Sequence, residues 1–424
     1  MKNRYSDPMF YISSDKMPFT ICIETILKEE VDGAALAGAV ERAMKCYPYF
    51  RMRIKEEDGE LIAVPNPLPV VVYEGTDIRP LGSAGVNYHL LALSLHGKTV
   101  NFYVSHVITD GGGFVPFVKT VLFCYFSAVK GGEMSSEGFR LPDDPVPESE
   151  TAMPFPEEKM RAADALCLPK NNEYFRLEDG GLIRDFTPKI YRVRISAADV
   201  MKYSHGNDGS PCALVSSLMA NAIRNLHPEM KKDIVSAISF NMRPALGNRD
   251  SCRLLCSALE VRYPELLRGA DMSKICTCTR GMITLQSQPE NVLYYAERKR
   301  RFLEETVLPL PGIEAKKECL GAAALADSVS NTFSVSYVGQ LGLGPIEQYI
   351  DAIYNLTDGS TYRTLFIEIS AVGDRFDLAF LQGFSEDVYY RAFLSELSAC
   401  GLEYSEDRVS DFGTAKQSFD GINE

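Results

Sequence analysis

The stretch from Asn101 to Gly113, NFYVSHVITDGGG, constrains the fold of this chain more than any other. Its first residues alternate in the manner of a β-strand and are rich in β-forming side chains, which predicts a strand that ends at Ser105. His106 follows the strand, Asp110 comes four residues later, and three glycines lead into an apolar helix that begins near Phe114. A histidine at a strand end, beside glycines that let a backbone or a ligand approach closely, is typical of a general-base site.

The residues around His106 leave two interpretations of its role. In the first, His106 is a general base that takes a proton from an attacking hydroxyl or amine, because an imidazole titrates near neutral pH. In the second, His106 is a partly buried histidine whose role is structural. The strand, the spacing to Asp110 and the glycines together favour the first interpretation.

The whole chain carries two successive α/β patterns of similar size. With 424 residues it is long for a single hydrophobic core, so two domains are expected. Residues 131–160 contain eight acidic residues, two basic residues and five prolines, which is typical of a surface linker or a long loop. We therefore predict an N-terminal domain of residues 1–180, which includes a linker region of residues 131–180, and a C-terminal domain of residues 181–424.

The charge and the apolar runs exclude two classes of partner. The net charge of −13 argues against nucleic acid, because phosphate binding needs a concentrated basic surface. The best candidate for a membrane span, Phe114–Val129, has only sixteen residues and contains Lys119, so we interpret it as a buried helix. We expect neither nucleic acid binding nor a membrane span.

The cysteines indicate a reducing compartment. The chain has eleven cysteines without a CxxC pair, which favours free thiols and a cytoplasmic location. The N-terminal residues do not have the pattern of a signal peptide. The pairs Cys252/Cys256 and Cys276/Cys278 have no histidine at ligand spacing, so no metal site is predicted.

Three segments resemble the CoA-dependent acyltransferase superfamily, which includes chloramphenicol acetyltransferase, alcohol O-acetyltransferases and the condensation domains of nonribosomal peptide synthetases. His106, Asp110 and Gly111 match the HxxxDG motif of that superfamily. The segment Asn241–Asn248, NMRPALGN, is similar to its "N.R…GN" segment, and Asn331–Gly339, NTFSVSYVG, is similar to a strand that lines its channel. The resemblance implies an α/β fold of two chloramphenicol-acetyltransferase-like domains. Each would be a mixed β-sheet with flanking helices, and together they would enclose a central active-site channel.

The resemblance also implies roles for two charged residues. In this superfamily the aspartate of the motif points away from the site and pairs with a distant arginine that holds the loop. Arg243 is the candidate arginine for Asp110, since a planar guanidinium binds a buried carboxylate with two hydrogen bonds. From the residues alone, Arg243 is equally well a surface residue beside a turn.

Hydroxyls and glycines give further candidates for substrate binding. Ser334, Ser336 and Tyr337 lie on the strand that resembles the channel lining, where a hydroxyl could donate to a tetrahedral oxyanion. Alternating polar residues on a half-buried strand are the other interpretation. Gly111 and Gly112 could allow close approach of the acyl donor, or only the turn into the helix.

The sequence departs from the motifs of two branches of this superfamily. Ser105 stands where condensation domains usually carry a second histidine. The DFGWG motif of the plant BAHD enzymes has no good equivalent, because Asp411-Phe412-Gly413 is followed by Thr414-Ala415. The basic run Arg298–Arg301 either contacts CoA phosphates or forms a solvated helix face, and the second is favoured because consecutive helical residues point in different directions.

We expect from the resemblance an acyltransferase that moves an acetyl or other short acyl group from CoA to a hydroxyl or amine. His106 would be the base, acyl-CoA would be a co-substrate, and no cofactor would be permanently bound. The expected partners are acyl-CoA and a small alcohol or amine. One alternative is a free-standing condensation-like enzyme that uses thioesters of an acyl carrier protein. Another is a binding protein of the same fold without turnover.

Overall fold

Two mixed β-sheets form the frame of the protein in the computed structural model, which describes residues 7–13, 18–131, 134–152, 173–357 and 365–411. The strands are, in chain order, β1 Thr20–Leu27, β2 Met52–Glu57, β3 Glu60–Pro65, β4 Val72–Glu74, β5 Leu91–His96, β6 Thr99–Ser105, β7 Lys189–Ser196, β8 Ile234–Asn241, β9 Cys256–Tyr263, β10 Phe333–Gln340, β11 Ile350–Thr357, β12 Leu365–Val372, β13 Arg375–Gln382, β14 Tyr404–Glu406 and β15 Ser410–Asp411.

Helices flank both sheets. In chain order they are α1 Gly33–Cys46, α2 Gly111–Lys130, α3 Ala197–Gly206, α4 Pro211–Leu226, α5 Met272–Gln286, α6 Pro289–Arg301, α7 Gly312–Ser328 and α8 Val388–Ala399. A single helical turn, Arg243–Leu246, follows β8, and a π-helical segment, Phe302–Val307, continues α6.

The first sheet has the strand order β11-β1-β6-β5-β4, and the second has the order β14-β7-β13-β12-β10-β8-β9 with β15 beside β7. Both sheets are mixed: β4 and β5 are parallel in the first, and β10 is parallel to both β8 and β12 in the second. A small sheet is formed by the hairpin of β2 and β3, which turns at Asp58-Gly59.

Strand β11 belongs to the second half of the chain but completes the first sheet. It pairs antiparallel with β1, with Thr357 opposite Ile21 and Ile353 opposite Thr25. The domain boundary near residue 180 stays a prediction. The chain therefore crosses from the second sheet to the first at β11. Hydrophobic patterns along the sequence do not reveal this crossing, because strands that pair far apart in sequence leave no local signal.

The strand and the helix predicted around His106 are confirmed. Strand β6 ends at Ser105, and α2 follows after a short loop. The helix begins at Gly111 rather than near Phe114, because the Asp110 carboxylate accepts a hydrogen bond from the Gly113 N–H at 3.0 Å and caps the first turn.

Helix α2 is the one helix in the described part of the chain that is long and apolar enough to cross a membrane. Its side chains Phe114, Phe117, Val121 and Leu122 are fully buried and pack in one cluster with residues of β1, β5, β6 and α1. This packing is that of a core helix, and it agrees with the interpretation from the sequence.

The two sheets meet where β11 lies over β12 and β13. The Asn355 amide donates to Ser370 Oγ at 3.0 Å, and the Ile353 N–H donates to Asp377 Oδ2 at 3.1 Å. Polar groups in a buried interface are stable only when such bonds form, so they fix the position of one sheet on the other.

A buried charge cluster strengthens the same interface. Glu24 on β1 forms an ion pair with Arg192 on β7, with Oε1 3.1 Å from Nη2, and Glu24 Oε2 accepts a hydrogen bond from Arg408 Nη2 at 2.7 Å. Glu24 and Arg192 are 6% and 1% exposed, so their charges depend on each other rather than on water. The first sheet is thereby tied to the second by charge as well as by apolar packing.

Asp377 makes the stability of this interface depend on pH. Burial raises the pKa of its carboxyl from the ordinary 3.8 to about 6. A raised carboxyl pKa means that the folded state binds the proton more tightly than the unfolded state does. The protonated Asp377 therefore stabilises the fold at low pH, and this contribution to the free energy of unfolding is lost as pH rises through about 4 to 6. We expect the wild-type free energy of unfolding to fall by about 2 kcal/mol between pH 4.5 and 7.5 from this group.

The variant Asp377→Asn should lack this component of the pH dependence. Urea unfolding of both proteins at the two pH values, followed by circular dichroism, measures it, and other titrating groups cancel in the comparison. An equal pH dependence in both proteins would contradict the assignment to Asp377.

Candidate active site

A cavity of about 320 Å³ lies at the junction of the two sheets. Apolar side chains from β1 and β12, including Ile21, Ile23 and Phe366, form part of its wall. Its wall also contains every predicted site residue: His106, Asp110, Gly111, Gly112, Arg243, Ser334, Ser336 and Tyr337. Residues from both halves of the chain therefore meet at one cavity.

His106 is the first residue after β6 and is half-buried in the cavity wall. Its Nδ1 lies 2.8 Å from the carbonyl oxygen of Thr109. A carbonyl oxygen only accepts, so Nδ1 carries the hydrogen, and in the neutral ring the lone pair then lies on Nε2. The loop thus selects the tautomer in which Nε2 is the basic nitrogen.

Phe19 supports His106 in a way that the sequence did not reveal. Its ring stacks on the imidazole, with the ring centroids 4.9 Å apart and the planes 18° apart. Its carbonyl oxygen accepts the His106 N–H at 2.8 Å. Phe19 also has φ = +52°, a backbone conformation that costs a non-glycine residue about 1 kcal/mol or more. Such strain persists only where the surrounding contacts hold it, and here they are contacts to the candidate base.

Asp110 and Arg243 form a buried ion pair with two hydrogen bonds. Arg243 Nη2 donates to Asp110 Oδ1 at 2.7 Å, and Nη1 donates to Oδ2 at 3.0 Å. The two residues are 2% and 3% exposed. The N–H groups of Gly113 and Leu255 donate to the same carboxylate at 3.0 and 2.7 Å. Both carboxylate oxygens are therefore occupied by other partners, and the geometry is not that of a His–Asp dyad.

The guanidinium is equally well satisfied. Arg243 Nε donates to the carbonyl of Ser251 at 2.7 Å, and Nη2 also donates to the carbonyl of Arg253 at 2.7 Å. A planar guanidinium with fixed donors suits this arrangement, whereas a lysine could not fill it. The pair connects the start of α2 to the segment after β8, and so it connects the two sheets.

The glycines of the motif permit close packing of protein against protein. A Cβ on Gly112 would lie 2.9 Å from Arg243 Nη1, and a Cβ on Gly113 would lie 2.3 Å from the carbonyl oxygen of Cys252. A Cβ on Gly111 would lie 3.2 Å from Val338. The absence of side chains here is explained by these neighbours, whether or not a substrate also approaches.

The three hydroxyl residues on β10 are not equivalent. Side chains alternate along a strand, and Tyr337 packs against Phe376 and the core of the second sheet, although it also forms part of the cavity wall. Ser334 donates to Asn331 Oδ1 at 3.2 Å. The Ser336 hydroxyl makes no hydrogen bond to another residue of the described chain. Ser336 is thus the hydroxyl best placed to act on a ligand.

Three charged residues in the cavity wall were not predicted as site residues: Lys299, Asp327 and Glu368. Glu368 is 1% exposed and accepts a hydrogen bond from the Thr357 hydroxyl. It is the one charged residue in the apolar run LFIEISAV of β12. A charge inside an otherwise apolar strand is a signal that could have identified it.

The basic run Arg298–Arg301 divides between two environments. Arg300 and Arg301 donate to Glu297 at 2.8 and 2.9 Å, whereas Lys299 lines the cavity. The hydrogen bonds from Arg300 and Arg301 lower the pKa of Glu297 to about 2. The spacing of three and four residues from Glu297 accounts for both pairs. Lys299 therefore does not fit the interpretation of this run as a solvated helix face.

Several solved structures share the fold of this chain. Among solved structures, that of polyketide synthase associated protein 5 from Mycobacterium tuberculosis is similar to this chain with a TM-score of 0.59, 14% identity, and coverage of 93% of this chain and 96% of that one. The fold class expected from the sequence, with mixed sheets and flanking helices around a cavity, is confirmed by this likeness.

Two other solved structures share this fold at similarly low sequence identity. F. graminearum TRI101, complexed with coenzyme A and deoxynivalenol, has a TM-score of 0.57 and 12% identity, and the match covers 93% of this chain and 96% of that one. The condensation domain from the Monacolin K polyketide synthase MokA has a TM-score of 0.55 and 12% identity, with coverage of 94% and 96%. No protein-family model and no curated protein matches the sequence. At these identities the likeness establishes the fold.

Removing one member of the ion pair should destabilise the protein strongly. Asp110→Ala and Arg243→Ala each leave an uncompensated buried charge, so we expect each to lower the free energy of unfolding by about 3–5 kcal/mol. The double variant should lose less than the sum of the two. Urea unfolding followed by circular dichroism measures the cycle, since the chain has no tryptophan. Additive losses would contradict a direct interaction.

Phe19→Leu should reduce kcat about tenfold, because an imidazole without its stacked neighbour is held less well in the reactive orientation. Phe19→Tyr keeps the ring and should stay within about twofold of the wild type. Long-range ¹H–¹⁵N NMR spectra, with His106→Ala for assignment, should show less of the Nδ1-protonated tautomer in Phe19→Leu. Unchanged kcat and an unchanged tautomer in Phe19→Leu would exclude a positioning role.

Proposed function

We propose that this protein is an acyltransferase that moves an acetyl or other short acyl group from a CoA thioester to the hydroxyl or amine of a small molecule. The observation that carries the proposal is the setting of His106. The imidazole forms part of a cavity between the two sheets, its Nδ1 hydrogen is bound by Thr109, and its loop is held by the ion pair of Asp110 and Arg243.

One base is sufficient for this reaction. The basic Nε2 of His106 would take the proton of the acceptor as its oxygen or nitrogen attacks the thioester carbonyl. A tetrahedral intermediate forms, its C–S bond breaks, and the departing thiolate takes the proton back from the imidazolium. Protons and electrons balance without a covalent enzyme intermediate, and most of the rate enhancement would come from positioning two substrates in one cavity.

Ser336 is the candidate donor to the oxyanion of the intermediate. Its hydroxyl is on the cavity side of β10 and is not engaged by another described residue. A hydroxyl that donates more strongly to the oxyanion than to the starting carbonyl lowers the barrier selectively. Gly111 and Gly112 would contribute through their close approach to the same cavity, with Asp110 and Arg243 as positioning residues.

A thioester of an acyl carrier protein is the alternative donor. The likeness to the condensation domain of MokA supports it, because that domain shares the fold over 94% of this chain. Ser105 stands where condensation domains usually carry a second histidine before the motif, and this favours CoA as the carrier of the acyl group. In either case the chemistry at His106 is the same, and only the carrier of the acyl group differs.

The deciding experiment is acceptor-dependent release of CoA from a panel of short acyl-CoA compounds with pooled alcohols and amines. Mass spectrometry should detect the products, because free cysteine thiols of the protein would react with a thiol dye. We expect His106→Ala to lower kcat by about a hundred- to ten-thousandfold. His96→Ala, at an exposed histidine of the β5–β6 hairpin, is the matched control and should leave kcat unchanged.

Equal rates for wild type and His106→Ala would contradict the proposed base. Turnover with acyl carrier protein thioesters but not with any acyl-CoA would identify the alternative donor. Absence of turnover with both donors across the acceptor pool would favour a binding protein of the same fold.

A further inference from the structure

A second cavity, of about 600 Å³, adjoins the first on the other side of the HxxxDG motif. It lies between α2, the segment of residues 138–150 and the end of β10. Gly112 and Val338 line both cavities. The side chains of the second cavity that bear on ligand binding are Lys119, Phe139, Arg140, Asp144, Glu150 and Gln340.

The two cavities adjoin at Gly112 and Val338, which line both. The start of α2 packs closely on this strand, since a Cβ on Gly111 would lie 3.2 Å from the Val338 side chain. The pairing of β10 with β12 shifts register between Tyr337 and Gln340, and Gly339 has φ = +92°. Beside this bulge, Val338 and Gln340 both line the second cavity.

Two of the four charged residues that line the second cavity form an ion pair with each other. Arg140 Nη1 donates to both carboxylate oxygens of Glu150, at 2.7 and 2.9 Å. The Asp144 carboxylate accepts the Leu141 N–H at 2.7 Å. Neither acidic group forms an ion pair with Lys119, which has no ion-pair partner in the described part of the chain.

Lys119 is placed to attract an anion. It is half-buried on α2, its Nζ lies 5.5 Å from the centroid of the Phe139 ring, and burial lowers its pKa. Placing an ammonium in such a site without a carboxylate costs free energy, which an anionic ligand would recover. The side-chain amide of Gln340, which forms no hydrogen bond to another described residue, supplies a second donor in the same cavity.

We propose that the second cavity binds an anionic group, a carboxylate or a phosphate, of one of the two substrates, with Lys119 and Gln340 as its ligands. The inference rests on the proposed function and names a substrate class for it. The reacting end of that substrate lies in the first cavity at His106, and its anionic end passes Gly112 and Val338 into the second. A carboxylate on the acceptor and a phosphate of CoA are the two sources of this chemistry.

The local cation matters because the protein as a whole repels anions. The net charge is −13, so long-range electrostatics disfavour approach of a carboxylate or phosphate. Charge-assisted hydrogen bonds inside a partly enclosed cavity act at short range and are less screened than surface pairs. A lysine without an ion-pair partner in the described residues, in the cavity next to the candidate base, can therefore bind an anion that the protein as a whole repels.

The test compares Lys119→Met, which keeps the apolar stem and removes the charge, with Lys119→Arg, which keeps the charge. Lys98→Met, at an exposed lysine in the turn between β5 and β6, is the control. KM is measured for acyl-CoA, for acyl-dephospho-CoA, and for acceptors supplied in pairs of a free acid and its methyl ester. Isothermal titration of CoA, dephospho-CoA and the same free acids measures affinity without turnover.

We expect Lys119→Met to weaken the anionic substrate about tenfold or more in KM and Kd, and Lys119→Arg and Lys98→Met to stay within about threefold. If the loss affects free acids but not their esters, the anion is the carboxylate of the acceptor. If it affects CoA and disappears with dephospho-CoA, the anion is the 3′-phosphate, and if it affects both CoA forms equally, the anion is the diphosphate.

Equal KM and Kd in the wild type and Lys119→Met would overturn the proposal. The titrations keep this decision separate from the proposed function. If no acyl transfer occurs, a lower affinity of Lys119→Met for CoA or an acid still supports the anion site. If neither CoA nor any acid binds the wild type, the anion site is excluded.

Discussion

The buried ion pair of Asp110 and Arg243 is the interaction on which the candidate site depends. Its carboxylate accepts from the guanidinium and from the N–H groups of Gly113 and Leu255, so every strong acceptor direction is used. A pair of charges is stable in a buried position only with such complete hydrogen bonding. Because Asp110 begins α2 and Arg243 follows β8, the pair fixes the His106 loop relative to the second sheet.

Several other features follow from the position of that pair. The guanidinium lies so close to the start of α2 that Gly112 has no space for a side chain. The two cavities adjoin at the same place, where Gly112 and Val338 line both. His106 lines the first cavity, with its tautomer set by Thr109 and its ring held by Phe19. An enzyme that must bring a donor and an acceptor together at one base needs this type of geometry, with space on both sides of a fixed loop.

Local patterns predicted the elements that depend on neighbours in sequence. The strand before His106 and the helix after the glycines agree with the structure. Each of these is decided within a few residues, by alternation of side chains along the strand or by the Asp110 side chain that caps the helix. Strand β11 in the first sheet, the stacking of Phe19 and the cavity position of Lys299 depend on partners elsewhere in the chain, so they had no local signal.

By itself the sequence determined which residues could do chemistry: a histidine at a strand end, an aspartate four residues on, glycines without side chains and an arginine in a segment similar to the known motif. Only the tertiary structure decided what these residues contact. It turned Asp110 towards Arg243 rather than His106, packed Tyr337 against the core of the second sheet as well as the cavity, and placed Lys119 in a second cavity with no ion-pair partner among the described residues. The physical reason is that hydrogen bonding, burial and charge pairing depend on distances in space, and these are set only when the two sheets pack together.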